Sequence, residues 1–199
     1  VVLLAHGLNL KPSKMDSLAQ AFADANFEVM RVAFAGHRGD KIEWNKVKAD
    51  DWLDDAVAFY MVAQKRAHKL HVPLYLVAYS FGALIYEILQ NQITGEAIHF
   101  EKKIYFSPGF AGHWWAKIVS NLLIYLPNDF TYPSLNLPDY RANDSTPIMA
   151  LKAQFELMNL FKKISVKNSE DTLIFIDPDD ELVDFEKVKH RTDEVGAWK

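Results

Sequence analysis

The stretch from Pro73 to Gly82 constrains this chain more than any other. The apolar run Pro73-Leu74-Tyr75-Leu76-Val77 reads as a strand, and Leu84, Ile85, Ile88 and Leu89 recur at helical spacing soon after it. Between them lies Ala78-Tyr79-Ser80-Phe81-Gly82, so strand must pass into helix through a turn centred on one serine. Such a turn strains the serine backbone and demands small residues two positions to either side. Gly82 meets that demand, and Ala78 stands where glycine is usual. The arrangement reads as a nucleophile elbow, which makes Ser80 a candidate nucleophile, although small-x-Ser-x-Gly also arises by chance.

A second segment adds to the first. Val1-Val2-Leu3-Leu4-Ala5 is a short β-rich run that stops at His6-Gly7-Leu8-Asn9. Acyl transfer needs two backbone N–H groups aimed at one point, one just after the nucleophile and one from a glycine-containing loop on a neighbouring strand. The N–H groups of Leu8 and Phe81 are the candidates for this oxyanion hole, with His6 and Gly7 forming the supporting loop. Only backbone is used, so the side chain of Leu8 is unconstrained.

With those residues in view, the chain resembles the α/β-hydrolase family, and within it the carboxylesterase and monoacylglycerol-lipase-like serine hydrolases. The resemblance is carried by His6-Gly7-Leu8, Gly36-His37-Arg38-Gly39, Ala78-Tyr79-Ser80-Phe81-Gly82 and Asp180-Glu181-Leu182-Val183, which span most of the chain in the family's order. It implies an α/β fold with a mainly parallel central sheet, helices on both faces and a small lid insertion. It also implies a serine hydrolase that cleaves a carboxylic ester with an apolar, lipid-like acyl chain through an acyl-enzyme at Ser80, with no cofactor and no metal. Asp-x-apolar-Val places the triad acid at Asp180, with Asp179 as runner-up. Taken alone, that loop reads equally as an acidic turn before a helix. A calcium loop is the less favoured reading: Asp177, Asp179 and Glu181 have suitable spacing, but Leu182 stands where glycine is required.

The base is missing from this pattern. In the family the histidine follows the acid on a loop after one further strand. His190 falls inside a predicted helix, His6 and His37 belong to structural loops, and His68, His71, His99 and His113 have no supporting context. The base is therefore expected beyond Lys199, and these 199 residues alone are expected to be nearly inactive. The sequence also opens without methionine inside an apolar strand, so residues are expected before Val1, where any targeting segment would lie.

Composition bounds the rest. A length of 199 residues, half of them hydrophobic, suits one domain with one sizeable core. A net charge of −4 with scattered basic residues argues against nucleic acid as a partner, and zero cysteines exclude disulfides and thiol chemistry. The compartment stays open. The longest apolar stretch, Trp114 to Leu126, is interrupted by Lys117, Ser120 and Asn121 and is shorter than the ~20 residues a membrane span needs.

Strand and helix signals alternate along most of the chain, as in a parallel sheet. Ser13 with Asp16 predicts a capped helix, Phe27 to Phe34 a strand, and Ala49 to Leu70 a long helix buried along Trp52, Ala56, Phe59, Ala63 and Leu70. Further strands are expected at Lys103 to Phe106 and Thr172 to Ile176. Helices are expected after the Thr146-Pro147 cap, with the stripe Ile148, Leu151, Phe155, Met158 and Phe161, and from Leu182 to about Glu194. From about 108 to 145 the alternation fails. The resemblance makes that stretch a lid whose aromatics line an acyl pocket; the plain alternative is a surface excursion. A non-catalytic domain of the same fold, binding an apolar ligand or a protein, remains the other functional reading. Neither Gly-x-Gly-x-x-Gly nor Gly-x-x-x-x-Gly-Lys is present to favour a nucleotide.

Overall fold

A computed structural model describes residues 1–92, 98–123, 125–134, 136–166, 171–196 and 198–199. In chain order, β1 (Val2–Ala5) leads through a 3-10 turn (Pro12–Met15) into α1 (Asp16–Asp24) and β2 (Val29–Arg31). Next come α2 (Lys41–Lys46), α3 (Ala49–Leu70), β3 (Tyr75–Tyr79), α4 (Phe81–Gln92) and β4 (Lys102–Phe106). The chain continues with α5 (Trp114–Leu123), β5 (Thr131–Pro133), β6 (Ser145–Pro147), α6 (Ile148–Lys163), β7 (Asp171–Phe175) and α7 (Phe185–Val195).

The five long-range strands form one parallel sheet in the order β2-β1-β3-β4-β7. Period-2 alternation sends Leu3, Ala5, Leu76 and Ala78 to one face, and Val2, Leu4 and Val77 to the other. The first face carries the main core, where α3, α4 and α6 pack on one another with Trp52, Phe81, Tyr86 and Leu157 almost wholly buried. The second is covered by α1 through Leu18, Ala19 and Phe22 over β1 and β2. Leu173 and Phe175 on β7 stay exposed there. Trp198 pairs in parallel with Thr172, and the Lys199 backbone bonds Thr172 and Ile174, so this last segment runs along the free edge of β7.

The order of strands and main helices follows the hydrophobic pattern, and several details differ from it. Ser13 caps nothing: the helix starts one 3-10 turn later, without a side-chain cap, and Asp16 pairs with Arg31 instead. The second strand is cut to Val29–Arg31. Tyr60 rather than Phe59 is buried on α3, and Leu70 is exposed, because the core-facing line drifts round a helix this long. The cap of α6 falls one residue later than expected: Thr146 lies in β6 with its Oγ1 engaged by Asn9 Nδ2, and Pro147, also in β6, takes the N-cap position without a side-chain hydrogen bond. Two features carry no expectation from the sequence. One is α2, capped by Asp40 Oδ1 on the N–H groups of Ile42 and Glu43; the other is the β5/β6 hairpin.

Candidate active site

A parallel sheet has a crevice at the C-terminal ends of its strands wherever successive connections leave in opposite directions. Here β1 connects to β2 on one side, and the chain then returns to β3 on the other, so the crevice opens between the ends of β1 and β3. The His6–Asn9 loop leaves β1 at that point and Ser80 follows β3 there.

Ser80 adopts φ 49°, in the left-handed region that a serine rarely occupies. The conformation is held from several sides. Ser80 N–H donates to Phe106 O at 2.9 Å, while Ser80 O accepts from Gly109 N at 2.9 Å and Ala83 N at 3.2 Å. Close packing requires glycine at position 82 and leaves little room at 109. A Cβ on Gly82 would stand 2.8 Å from Ala5 Cβ and 2.9 Å from Ala5 backbone atoms, and one on Gly109 would stand 3.2 Å from Ser80 O. Ala78, wholly buried, fits the first small position.

Facing this turn, Gly7 is pressed against it: a Cβ there would lie 2.8 Å from the Tyr79 ring and 3.4 Å from Ser80 Cβ. The loop beyond is fastened at almost every backbone group. Gly7 O accepts from His6 Nδ1 at 2.8 Å and from Leu10 N at 3.2 Å, and Asn9 N donates to His37 Nε2 at 2.7 Å. Asn136 Nδ2 donates to Leu8 O and Asn9 O. Among the described residues, the N–H groups of Leu8 and Phe81 have no hydrogen-bond acceptor.

His6 and His37 are buried and bonded on both nitrogens. Phe34 N donates to His6 Nε2, which fixes the Nδ1–H tautomer, and His37 Nδ1 donates to Ala35 O. The two rings pack at 4.6 Å between centroids. Burial pushes the His6 imidazole down to about 4, partly offset by its bond to Gly7 O. Burial, with His6 as a neighbour, holds His37 well below its ordinary value. Both are neutral braces.

Asp180 sits on the loop after β7, where its Oδ1 accepts from Leu182 N at 2.9 Å and Val183 N at 2.8 Å. Its charge reaches the Tyr79 phenol, which burial and then Asp180 raise. Asp179 is exposed and takes part through its N–H, donated to Asp177 Oδ1. Of the remaining histidines, His190 lies on the exposed side of α7 in a pair with Glu194. His113 bonds the acid loop through Asp180 O at 2.7 Å, a contact with no signal in the sequence. Asn9, Asn136 and Asn143 also escape sequence reasoning, apart from the position of Asn9 directly after His6-Gly7-Leu8.

The stretch from 108 to 145 carries α5 and half of the β5/β6 hairpin. Its aromatics are largely on the outside: Trp114 is 71% and Tyr125 80% exposed. An apolar cleft of about 270 Å³, lined by Phe22, Phe27, Tyr75, Ile104 and Leu173, opens beside α1 towards the N-terminal ends of the strands, away from Ser80. Among the described residues no cluster of three or more His, Cys, Asp or Glu could hold a metal ion, and no helix is long and apolar enough to cross a membrane.

The family profile described as "Serine aminopeptidase, S33", a hydrolase family, matches residues 1–197. No curated protein matches the chain. Among solved structures, one reported for the metagenome-derived lipolytic enzymes LipS and LipT is 22% identical with TM-score 0.75, covering 92% of this chain and 73% of that one. The monoglyceride lipase of Saccharomyces cerevisiae, solved with a substrate analogue, is 13% identical with TM-score 0.78, covering 97% and 72%. The monoacylglycerol lipase of Paleococcus ferrophilus is 15% identical with TM-score 0.58, covering 97% and 79%. At these identities the likeness is one of fold.

Proposed function

Given that the chain belongs to the serine aminopeptidase, S33, family of hydrolases, we propose that it cleaves a carboxylic ester with an apolar acyl chain through an acyl-enzyme at Ser80. Ser80 Oγ attacks the ester carbonyl carbon as a histidine takes its proton. The carbonyl oxygen, now negative, is held by the N–H groups of Leu8 and Phe81. Collapse of the adduct breaks the bond to the alcohol, which leaves with the proton from the histidine. Water then attacks the acyl-enzyme by the same route and releases the acid.

In this reading Asp180 holds the histidine. Its Oδ1 is fastened to the main chain by two N–H groups, which supports Asp180 over Asp179. The histidine itself is proposed to follow Lys199, after the segment at Trp198 that runs along β7. His6 and Gly7 support the oxyanion loop without touching the reacting atoms. The insertion over 108–145 is proposed as the lid.

The observation that carries the proposal is the coincidence at one crevice of a serine at φ 49° and two backbone N–H groups without acceptors among the described residues. The lipase-like folds of the neighbours support an ester substrate, while the family's description favours a peptide amide as the second reading, since the same machinery serves both. Full-length protein should label with a fluorophosphonate and turn over p-nitrophenyl esters, with longer acyl chains preferred and aminoacyl p-nitroanilides cleaved poorly. Ser80→Ala should abolish labelling and lower kcat by on the order of 10⁴–10⁶-fold. Faster anilide than ester turnover would select the peptidase reading; labelling unaffected by Ser80→Ala would place the reactive nucleophile at another residue, and no labelling or turnover at all would leave a non-catalytic ligand-binding domain.

A further inference from the structure

We propose that Asn136, carried by the insertion, is a positioning residue for the Leu8 N–H, so that the insertion is a working part of the oxyanion site as well as a cover. The inference rests on reading that N–H as an oxyanion donor. Among the described residues, every backbone polar group from the Gly7 carbonyl to the Leu10 N–H is engaged except the Leu8 N–H, and the partners come from three separate parts of the chain.

A planar trans peptide points its N–H opposite to its C=O, so the aim of the Leu8 N–H is set by whatever holds Gly7 O. His6 Nδ1 and Leu10 N hold it from within the loop. The next peptide shares only the two soft dihedrals of Leu8 with the first, and it is clamped at both ends. Asn136 Nδ2 takes Leu8 O at 3.2 Å, and His37 Nε2 takes Asn9 N at 2.7 Å. Asn9 has φ 51°, a left-handed turn that brings successive carbonyls to one side, and Asn136 Nδ2 reaches Asn9 O as well, at 3.0 Å. One amide group thus bridges two carbonyls, and losing it leaves the second peptide held at its N–H end alone, so that it can tilt about that bond and carry the first with it.

The rest of the insertion locks Asn136 in register. Asn9 Nδ2 donates to Asn143 O at 2.9 Å and to Ser134 Oγ at 3.0 Å, and Asn9 Oδ1 accepts from Asn143 N at 2.8 Å. Asn143 Nδ2 donates in turn to Gly36 O at 2.9 Å, in the loop that carries His37. Ala142 N bonds Asn9 O, and Lys11 N bonds Tyr140 O at 2.7 Å. Asn9 and Asn143 are nearly fully buried, so these bonds form away from competing water.

The test uses full-length protein with Asn136→Ala and with Asn136→Asp, which keeps the shape and removes both donors. Active sites are titrated with a fluorophosphonate so that only folded, competent molecules are counted. We expect kcat on a soluble ester to fall about 10-fold or more, short of the 10²–10³ of deleting a donor outright. KM should stay within about twofold, while the Ki of an alkylboronic acid, which mimics the tetrahedral adduct, rises in step with the fall in kcat. Asn136→Asp should be at least as impaired as Asn136→Ala. Wild-type kcat and Ki in both variants would overturn the proposal, as would KM and Ki rising together, the mark of a merely structural contact. Absence of Ser80-dependent turnover in the wild type would remove the donor's function itself, a failure visible before any Asn136 variant is made.

Discussion

At Gly82 and His6 a single side chain, or the lack of one, governs how the crevice is built. Gly82 is where α4 crosses the end of β1, and the atoms a Cβ would meet include Ala5 backbone, which cannot swing away. Gly82→Ala is therefore expected to destabilise the protein by about 1–3 kcal/mol, read from urea unfolding. It should also distort the Ser80 turn, lowering fluorophosphonate labelling even among folded molecules. The buried histidines give stability a pH dependence of definite sign. His6 titrates at about 4 when folded and near its ordinary 6.5 when unfolded, so between those values the unfolded chain binds a proton that the folded one refuses. Stability is full above about pH 6.5 and falls as pH drops towards 4, by up to ~1.4 kcal/mol per pH unit for each such histidine. His37 adds to the effect in the same direction. Chemical unfolding at a series of pH values should show this slope, and His6→Asn should flatten it; an unchanged slope would assign the acid sensitivity elsewhere.

Among the elements, α4 and β4 are joined by a buried ion pair that no hydrophobic pattern foretells. Lys103 Nζ lies 2.6 Å from Glu87 Oε1, both wholly buried, with Tyr105 Oη also donating to Glu87 Oε1 at 2.6 Å and Gln90 Oε1 accepting from Lys103 at 3.0 Å. Removing one member strands the other, so Lys103→Met should cost about 3–5 kcal/mol, whereas Lys103→Met with Glu87→Leu should recover most of that loss. A double mutant no more stable than the single one would show that the remaining polar groups, rather than the charge, set the cost. The insertion behaves differently from the layer beneath it. Its α5 turns Trp114, Ile118 and Leu122 outwards, yet its far end is sewn to the Gly7–Leu10 loop by side-chain amides. Apolar content alone marked this stretch as important, while its attachment depends on polar residues that composition treats as ordinary loop.

Across the whole molecule, the described core is lopsided: α3 and α4 lie against one face of the sheet with α6 packed on both of them, and α1 covers part of the other face. Trp52→Ala, on the crowded face, should cost about 3–5 kcal/mol, and Phe22→Ala, half-buried on the other, clearly less, as urea unfolding would measure. The strand order reverses between β1 and β3, which is why His6-Gly7-Leu8 and Ser80, far apart in the chain, face one crevice. The order of strands and main helices along the chain, the need for a small residue at Gly82 and the candidacy of Ser80, Leu8 and Phe81 could be read from the residues, whereas Asp180 is singled out by the family resemblance. Hydrophobic periodicity and tight-turn chemistry act over a few neighbouring positions and leave their mark in the sequence. The pairing of His6 with His37, the bond from His113 to the acid loop, and the joining of Asn9 to Asn136 and Asn143 were decided only in three dimensions. Each of these contacts joins residues distant in the chain, and a polar side chain carries no sign of which distant partner will share its burial until the sheet order has brought the loops together.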